Sequence, residues 1–388
     1  MDRRTLCAQG TRGGQELGRP LAPVIVPSSN FDYGDADGGD RYYETGEGFL
    51  YSRYGNPTVR QVEELLAALE GAEEAALFSS GMAAISAVFL TLAGSGKKLA
   101  AQRALYGGAV ELLEELVPAM GTEVVWLDHD EIAELEPGRI EGSCLLYLET
   151  PVNPTLRLVD LRRAAGVARR AGVPVAVDGT FAPPVLQRPV ELGVDLVIHS
   201  CTKYLGGHGD LIGGAVSGRR DLVGEIGARR RTLGGVLGPF SAFLLYRGLR
   251  TLAVRMEAHC RGAAAVARAL AAHPRVERVN YPGLAEHPDA RLAEEQMSGC
   301  GGMVSFTVEG GAAGSQQVHD RLRLFRHAGS LGGVESLVSI PARMSHRGLS
   351  EPTRERMGVP ASLLRLSVGL EAPEDLVADL QQALDHSR

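Results

Sequence analysis

The stretch Ser200-Cys201-Thr202-Lys203-Tyr204 decides how this chain is read. Val194-Asp195-Leu196-Val197-Ile198 runs into it, a short apolar and β-branched segment that predicts a buried strand. Leu205-Gly206-Gly207-His208-Gly209-Asp210 follows, a glycine-rich turn. A lysine thus stands where a core strand stops, at the edge where open α/β sheets bind ligands. Lys97, Lys98 and Lys203 are the only lysines; the other strong bases are arginines. Arginine stays protonated, whereas a lysine that is desolvated or set beside another cation can lose its proton and form an imine. Lys203 is therefore the candidate for imine chemistry. Taken alone it would read as a surface lysine after a strand, so the neighbouring segments must decide.

Working outward, several apolar strand-like runs each end on a polar residue. Val173 to Val177 runs into Asp178, and Cys144 to Glu149 runs into Thr150-Pro151-Val152-Asn153-Pro154. Lys98 to Ala101 precedes Leu105-Tyr106-Gly107-Gly108, and Ala75 to Phe78 precedes Ser79-Ser80-Gly81-Met82. Helical patterns separate them, through Leu92, to about Met120 and over Asp160 to Arg170. Alternating strands and helices predict a mainly parallel sheet covered on both faces. Tyr106, Asn153, Asp178 and Lys203 would then converge at one sheet edge. Beyond Gly213 come a strand, a basic helix over Arg219 to Arg231, and a long helical stretch over 240–273 that reads as a link between domains. The remainder mixes strands such as Met303 to Val308 with helices such as Pro373 to Ala383, the pattern of a smaller α+β domain. The expected division is an N-terminal arm over 1–58, a ligand-binding domain over 59–248 and a C-terminal domain over 249–388. The arm shows little helical periodicity and ends in Tyr51-Ser52-Arg53-Tyr54-Gly55-Asn56-Pro57-Thr58. That density of polar contact groups fits an arm lending Tyr51 and Arg53 to a neighbouring subunit's anion site.

Composition sets bounds. A chain of 388 residues is long for one core. The net charge of -7 argues against a nucleic-acid partner. Cys7, Cys144, Cys201, Cys260 and Cys300 are scattered, which fits reduced thiols rather than a disulfide frame or a metal site. No apolar run is long enough to span a bilayer, and a cytoplasmic location with no membrane partner is expected.

Pyridoxal 5'-phosphate demands a particular set of groups, and this chain offers each. Lys203 would hold the aldehyde carbon. Asp178 would pair with the ring nitrogen and keep the ring an electron sink. Tyr106 would stack on the ring. The start of a helix at Ser80, Gly81 and Met82, with the hydroxyls of Ser200 and Thr202, would hold the phosphate. Tyr51 and Arg53 would complete that site from a second subunit.

The residues also carry a family resemblance. YSRYGNPT at 51–58, SSGMAAI at 79–85, YGG at 106–108, ETPVNP at 149–154, VDGTFAPP at 177–184 and HSCTKYLGGHGD at 199–210 resemble the Cys/Met-metabolism family of PLP enzymes. So do RGLRTLAVRM at 247–256, SLGGVESL at 330–337 and LLRLSVGLE at 363–371. This family includes cystathionine γ-synthase, cystathionine γ-lyase, cystathionine β-lyase and methionine γ-lyase. The resemblance implies the aspartate-aminotransferase fold (fold type I), a seven-stranded type of sheet, and a homotetramer built as a dimer of dimers with shared active sites. It assigns Asn153 to the cofactor site. Arg365 would clamp the substrate α-carboxylate, with Ser330 and Leu331 lining the substrate site and Glu335 reaching a distal amino group. Tyr106 or Tyr51 would donate the proton to the leaving group, and Cys201 would serve packing.

Within the family, Tyr106-Gly107-Gly108 and the 330–337 loop look closer to γ-lyases and γ-synthases than to β-lyases. His208-Gly209-Asp210 leans toward methionine γ-lyases, whereas Gly108 departs from those with cysteine there. The expected activity is γ-elimination on methionine or cystathionine, giving 2-oxobutanoate, ammonia and a thiol. γ-Replacement on an O-acylhomoserine is the alternative, β-elimination to pyruvate a third, and a non-catalytic PLP-fold protein the alternative of another class.

Overall fold

The protein was analysed as a computed structural model, in which residues 1–10 and 20–385 are described. Seven strands form the larger sheet: β1 (Glu74–Phe78), β2 (Lys98–Gln102), β3 (Glu123–Leu127), β4 (Ser143–Glu149), β5 (Val175–Asp178), β6 (Leu196–Ser200) and β7 (Gly214–Gly218). Their spatial order is β1-β7-β6-β5-β4-β2-β3, and only β7 runs against its neighbours. β5 and all but one residue each of β4 and β6 are buried, as parallel strands covered on both faces must be. Register then does the positioning. Glu149 lies opposite Asp178 and Asp178 opposite Ile198, so β4 and β5 end together while β6 runs on to Ser200.

A smaller sheet follows in chain order: β8 (Val276–Asn280), β9 (Met303–Val308), β10 (Arg326–His327), β11 (Leu337–Ser339) and β12 (Leu364–Ser367). Its order is β10-β11-β12-β9-β8. Arg365 sits on the middle strand β12, paired with Ser339 on one side and Ser305 on the other. The expected α/β class, with a mainly parallel sheet and a smaller α+β part, is what the chain adopts.

Three segments differ from expectation. The stretch before residue 58 holds two helices, Arg3–Gln9 and Ala36–Thr45, too short for the periodicity to be visible. Cys7 in the first is 1% exposed and packs into the core with Val59, Leu65 and Tyr246, so the chain's first residues are docked on their own subunit. The arm's residues 11–19 fall outside the described residues. The helical stretch over 240–273 is two helices, Pro239–Arg250 and Leu252–Ala271, broken at Thr251. The run after Tyr106 is helical from Gly107 to Ala119 but turns π-helical over Leu112–Leu116.

Candidate active site

Lys203 leaves β6 on a tight turn, and its tightness explains the glycines around it. Gly207 has φ +74°, and a Cβ there would overlap the Arg255 guanidinium. Arg255 is 5% exposed and donates to Tyr204 O at 2.8 Å and Gly248 O at 2.6 Å. A Cβ on Gly248 would stand 2.6 Å from Leu205 O. Gly332 (φ +76°) presses on the turn from the other sheet, where a Cβ would come within 2.7 Å of Tyr204 N. The turn is thus clamped between the Leu252–Ala271 helix and the 330–337 loop.

The clamp aims Lys203 into a cleft of about 560 Å³ between the two sheets. Ser80, Gly81, Met82, Tyr106, Asn153 and Asp178 line it, and so do Ser200, Thr202, Ser330, Leu331 and Arg365. Lys203 Nζ donates to Ser330 Oγ at 2.7 Å. Ser330 adopts φ +76°, a left-handed conformation that a serine enters at a cost. Arg365, 5% exposed, donates from Nη1 to Asn153 Oδ1 at 3.0 Å and from Nη2 to Ser330 O at 3.2 Å. Burial, helped by the Arg365 charge and opposed by Asp178, brings Lys203 down to about 8 from its ordinary 10.5. Burial likewise lowers Arg365 to about 10.

Asp178 accepts from Thr180 N at 2.9 Å, and Thr180 Oγ1 in turn accepts from Ser200 N at 2.9 Å. Burial pushes the Asp178 carboxyl up, against the Thr180 hydrogen bonds and the more distant His199 and Lys203. Beside it, Glu149 accepts from Asn153 N at 2.7 Å and Tyr106 N at 2.8 Å. Burial first and the Asp178 charge second raise Glu149 to about 8. The Gly81–Leu92 helix points its N-terminus at the cleft, with Ser80 Oγ accepting from Ala83 N at 3.0 Å. A Cβ on Gly81 would lie 2.9 Å from Ser200 Cβ, so glycine permits the close approach. Thr202 lines the cleft, but its hydroxyl exchanges hydrogen bonds with Gly213.

Three expected residues stand apart from this cleft. Tyr51 and Arg53 of the same chain do not line it: Arg53 donates to Arg231 O at 2.9 Å and stacks on the Tyr51 and Tyr54 rings. Glu335 is exposed and lines an adjoining depression that shares Ser330 and Leu331 with the cleft. Cys201 is fully buried, which pushes its thiol up and keeps it protonated. Sequence reasoning missed Glu149, Thr180 and Arg255, each of which holds a neighbour in place. All three lay inside the recognised segments, but Tyr106, Ser200 and Tyr204, which they hold, come from other segments. It also missed the segment Arg343, Met344, Ser345 and Arg347, which lines the cleft from the smaller sheet's side. Behind the cleft, a buried pair joins His199 Nε2 to Glu70 Oε1 at 2.5 Å.

A family model described as Cys/Met metabolism PLP-dependent enzyme matches residues 5–385. The chain belongs to the Cys/Met metabolism family of PLP-dependent enzymes. An L-methionine γ-lyase of Fusobacterium nucleatum is 41% identical over 94% of this chain and 93% of the relative. A cystathionine γ-lyase of Bacillus subtilis is 39% identical over 100% of both chains. A solved structure of cystathionine γ-synthase from Xanthomonas oryzae pv. oryzae superposes with TM-score 0.93 at 37% identity, covering 100% of this chain and 98% of that one. The protein is thus an enzyme, and pyridoxal 5'-phosphate is its cofactor.

The cleft fits that cofactor. Asp178 is a buried carboxylate with no cationic partner at contact distance among the described residues, and a protonated ring nitrogen would supply one. The helix N-terminus at Gly81 offers backbone N–H groups to a phosphate. The Lys203 amine, held low, is ready to be neutral, and the 39% exposed Tyr106 stands at the cleft edge.

Proposed function

We propose that this enzyme catalyses γ-elimination on a sulfur amino acid, methionine or cystathionine, releasing 2-oxobutanoate, ammonia and a thiol. One observation supports the reading: the linked set Lys203–Ser330–Arg365–Asn153 brings an amine and a buried guanidinium into one cleft. Arg365 takes the substrate α-carboxylate bidentately, held in place by Asn153 and the Ser330 carbonyl. Lys203, with its proton affinity lowered, anchors the cofactor and then removes the proton at Cα. Pyridoxal phosphate, when bound, supplies the electron sink that lets Cα lose that proton. Asp178 would pair with the ring nitrogen and Tyr106 would stack on the ring. The N–H groups of Gly81 and Met82 and the hydroxyls of Ser80 and Ser200 would hold the phosphate, joined by that of Thr202 once it turns from Gly213. Lys203 removes the proton at Cα and later a second one at Cβ, whose electron pair expels the Cγ substituent, and Tyr106 or Tyr51 protonates that departing group.

Tyr51 and Arg53 lie away from their own chain's cleft, which supports their being lent across a dimer, within a homotetramer, to complete the partner's phosphate site. The exposed Leu21, Val24, Tyr33 and Tyr43 of the same region support a subunit contact there. Residues 59–248 would then form the cofactor domain, 249–388 the C-terminal domain and 1–58 the arm. A cytoplasmic location accords with the chemistry; no described helix is long and apolar enough to cross a membrane. γ-Replacement is the second reading, supported by the γ-synthase structures that the chain superposes on.

Purified enzyme incubated with L-methionine, L-cystathionine, or O-succinylhomoserine with and without cysteine tests this directly. 2-Oxobutanoate from methionine or cystathionine without added thiol is expected. Cystathionine formed only from the ester plus cysteine would replace elimination with replacement, and pyruvate would make the enzyme a β-lyase.

A further inference from the structure

We propose that Arg343 and Arg347 form a distal cationic subsite that selects substrates whose γ-substituent ends in a carboxylate. The proposal rests on the γ-elimination reading and narrows its substrate class. Arg365 already serves the α-carboxylate from the cleft floor, buried and paired with Asn153 and the Ser330 carbonyl. Arg343 and Arg347 line the same cleft but are exposed, at its mouth. A substrate with a neutral tail would leave both guanidiniums idle.

Their placement is built. Pro341–Arg343 is a single 3-10 turn, and Met344 N and His346 N both close onto Pro341 O, at 3.1 and 3.0 Å. His346 is 1% exposed and anchors the segment inward. Gly107, next to Tyr106, exists as glycine because Ser345 O occupies the space that a Cβ would need. This contact fixes the segment against the cleft wall and leaves the two arginines, four residues apart, at the opening.

Their charge is unmatched among the described residues. Arg343 donates to the neutral amide of Gln316 at 2.9 Å, and among the described residues neither arginine forms an ion pair. The acids that line this cleft, Glu149 and Asp178, are buried on its floor and engaged there. A carboxylate at the far end of a γ-substituted amino acid is the group that two guanidiniums at the mouth, neither of them ion-paired among the described residues, would recognise. Because both are solvated, the expected effect is roughly tenfold and screened by salt.

The test compares the cofactor-loaded wild type with the double variant Arg343→Gln/Arg347→Gln. L-cystathionine and O-succinylhomoserine carry a distal carboxylate, and L-methionine does not. The ratio of kcat/KM for either carboxylate-bearing substrate to that for methionine should fall about tenfold in the variant, through KM, and the wild-type ratio should fall as salt is raised. An equal loss on all three substrates, or no loss, would overturn the proposal. If the wild type eliminates none of them, the γ-elimination reading fails, and binding tests the subsite separately. Calorimetry with the unreactive pair L-2-aminopimelate and L-norleucine should show about tenfold preference for the former in the wild type and none in the variant. No preference in the wild type would sink the subsite by itself.

Discussion

Replacing Lys203 with methionine should make the cofactor-free protein more stable at neutral pH. The fall of the Lys203 ammonium from 10.5 to about 8 measures how far the folded cleft disfavours its charge. At about 1.4 kcal/mol per unit, that is about 3 kcal/mol against the charged form. Two corrections reduce it. The amine faces a solvent-filled cleft, which screens the charge, and the variant gives up the hydrogen bond to Ser330, worth about 1 kcal/mol. A net gain of about 1–2 kcal/mol remains. The pH dependence follows from which state loses the proton first. Below a pH of about 8 folded and unfolded chains are both charged, and the wild type carries the full penalty. Between about 8 and 10.5 the folded amine is neutral while the unfolded one is still charged, so the penalty fades. The variant's advantage should therefore shrink across that window. Paired chemical denaturation of the stripped proteins at about pH 7 and about pH 10 reads the difference, in which all other titrations cancel. A variant less stable than wild type at neutral pH, or a difference that stays flat, would refute the account of Lys203 as a strained, desolvated amine.

Asn153→Ala should leave a buried Arg365 without its Nη1 acceptor, costing about 2 kcal/mol of substrate binding; steady-state kinetics should show a raised KM with kcat less affected. Ser330→Gly should relieve about 1 kcal/mol of left-handed strain while removing the acceptor for Lys203, so thermal stability should hold or rise while turnover falls about tenfold. Glu70→Leu should strand His199, which is 1% exposed, and destabilise the fold by about 3 kcal/mol in urea titrations without touching the cleft lining.

The strand ends were legible because a core strand has to be apolar, and the polar residue that follows it stands out. Asp178, Asn153, Tyr106 and Lys203 were found that way, and the Gly206-Gly207 pair announced a tight turn. Arg365 was legible from its apolar neighbours and the family segment around it. The helices before residue 58 were not, since each is too short for a repeating apolar stripe. Nor was the break at Thr251, because both flanking segments are good helix formers and the break coincides with side-chain hydrogen bonds from Thr251 and Arg255 to Gly248 O. Sequence assigned Tyr51 and Arg53 to a neighbouring subunit's phosphate site; within their own chain Arg53 turns toward Arg231 instead. Which residues hold the site in place was decided only in three dimensions. Glu149 ties Tyr106 to Asn153, Arg255 pins the Lys203 turn, and Arg343 and Arg347 reach the mouth from a loop of the second sheet. The local chain determines which side chains are available, through periodicity and turn chemistry. Which of them meet across two sheets depends on strand register and close packing, and neither is written in any single segment.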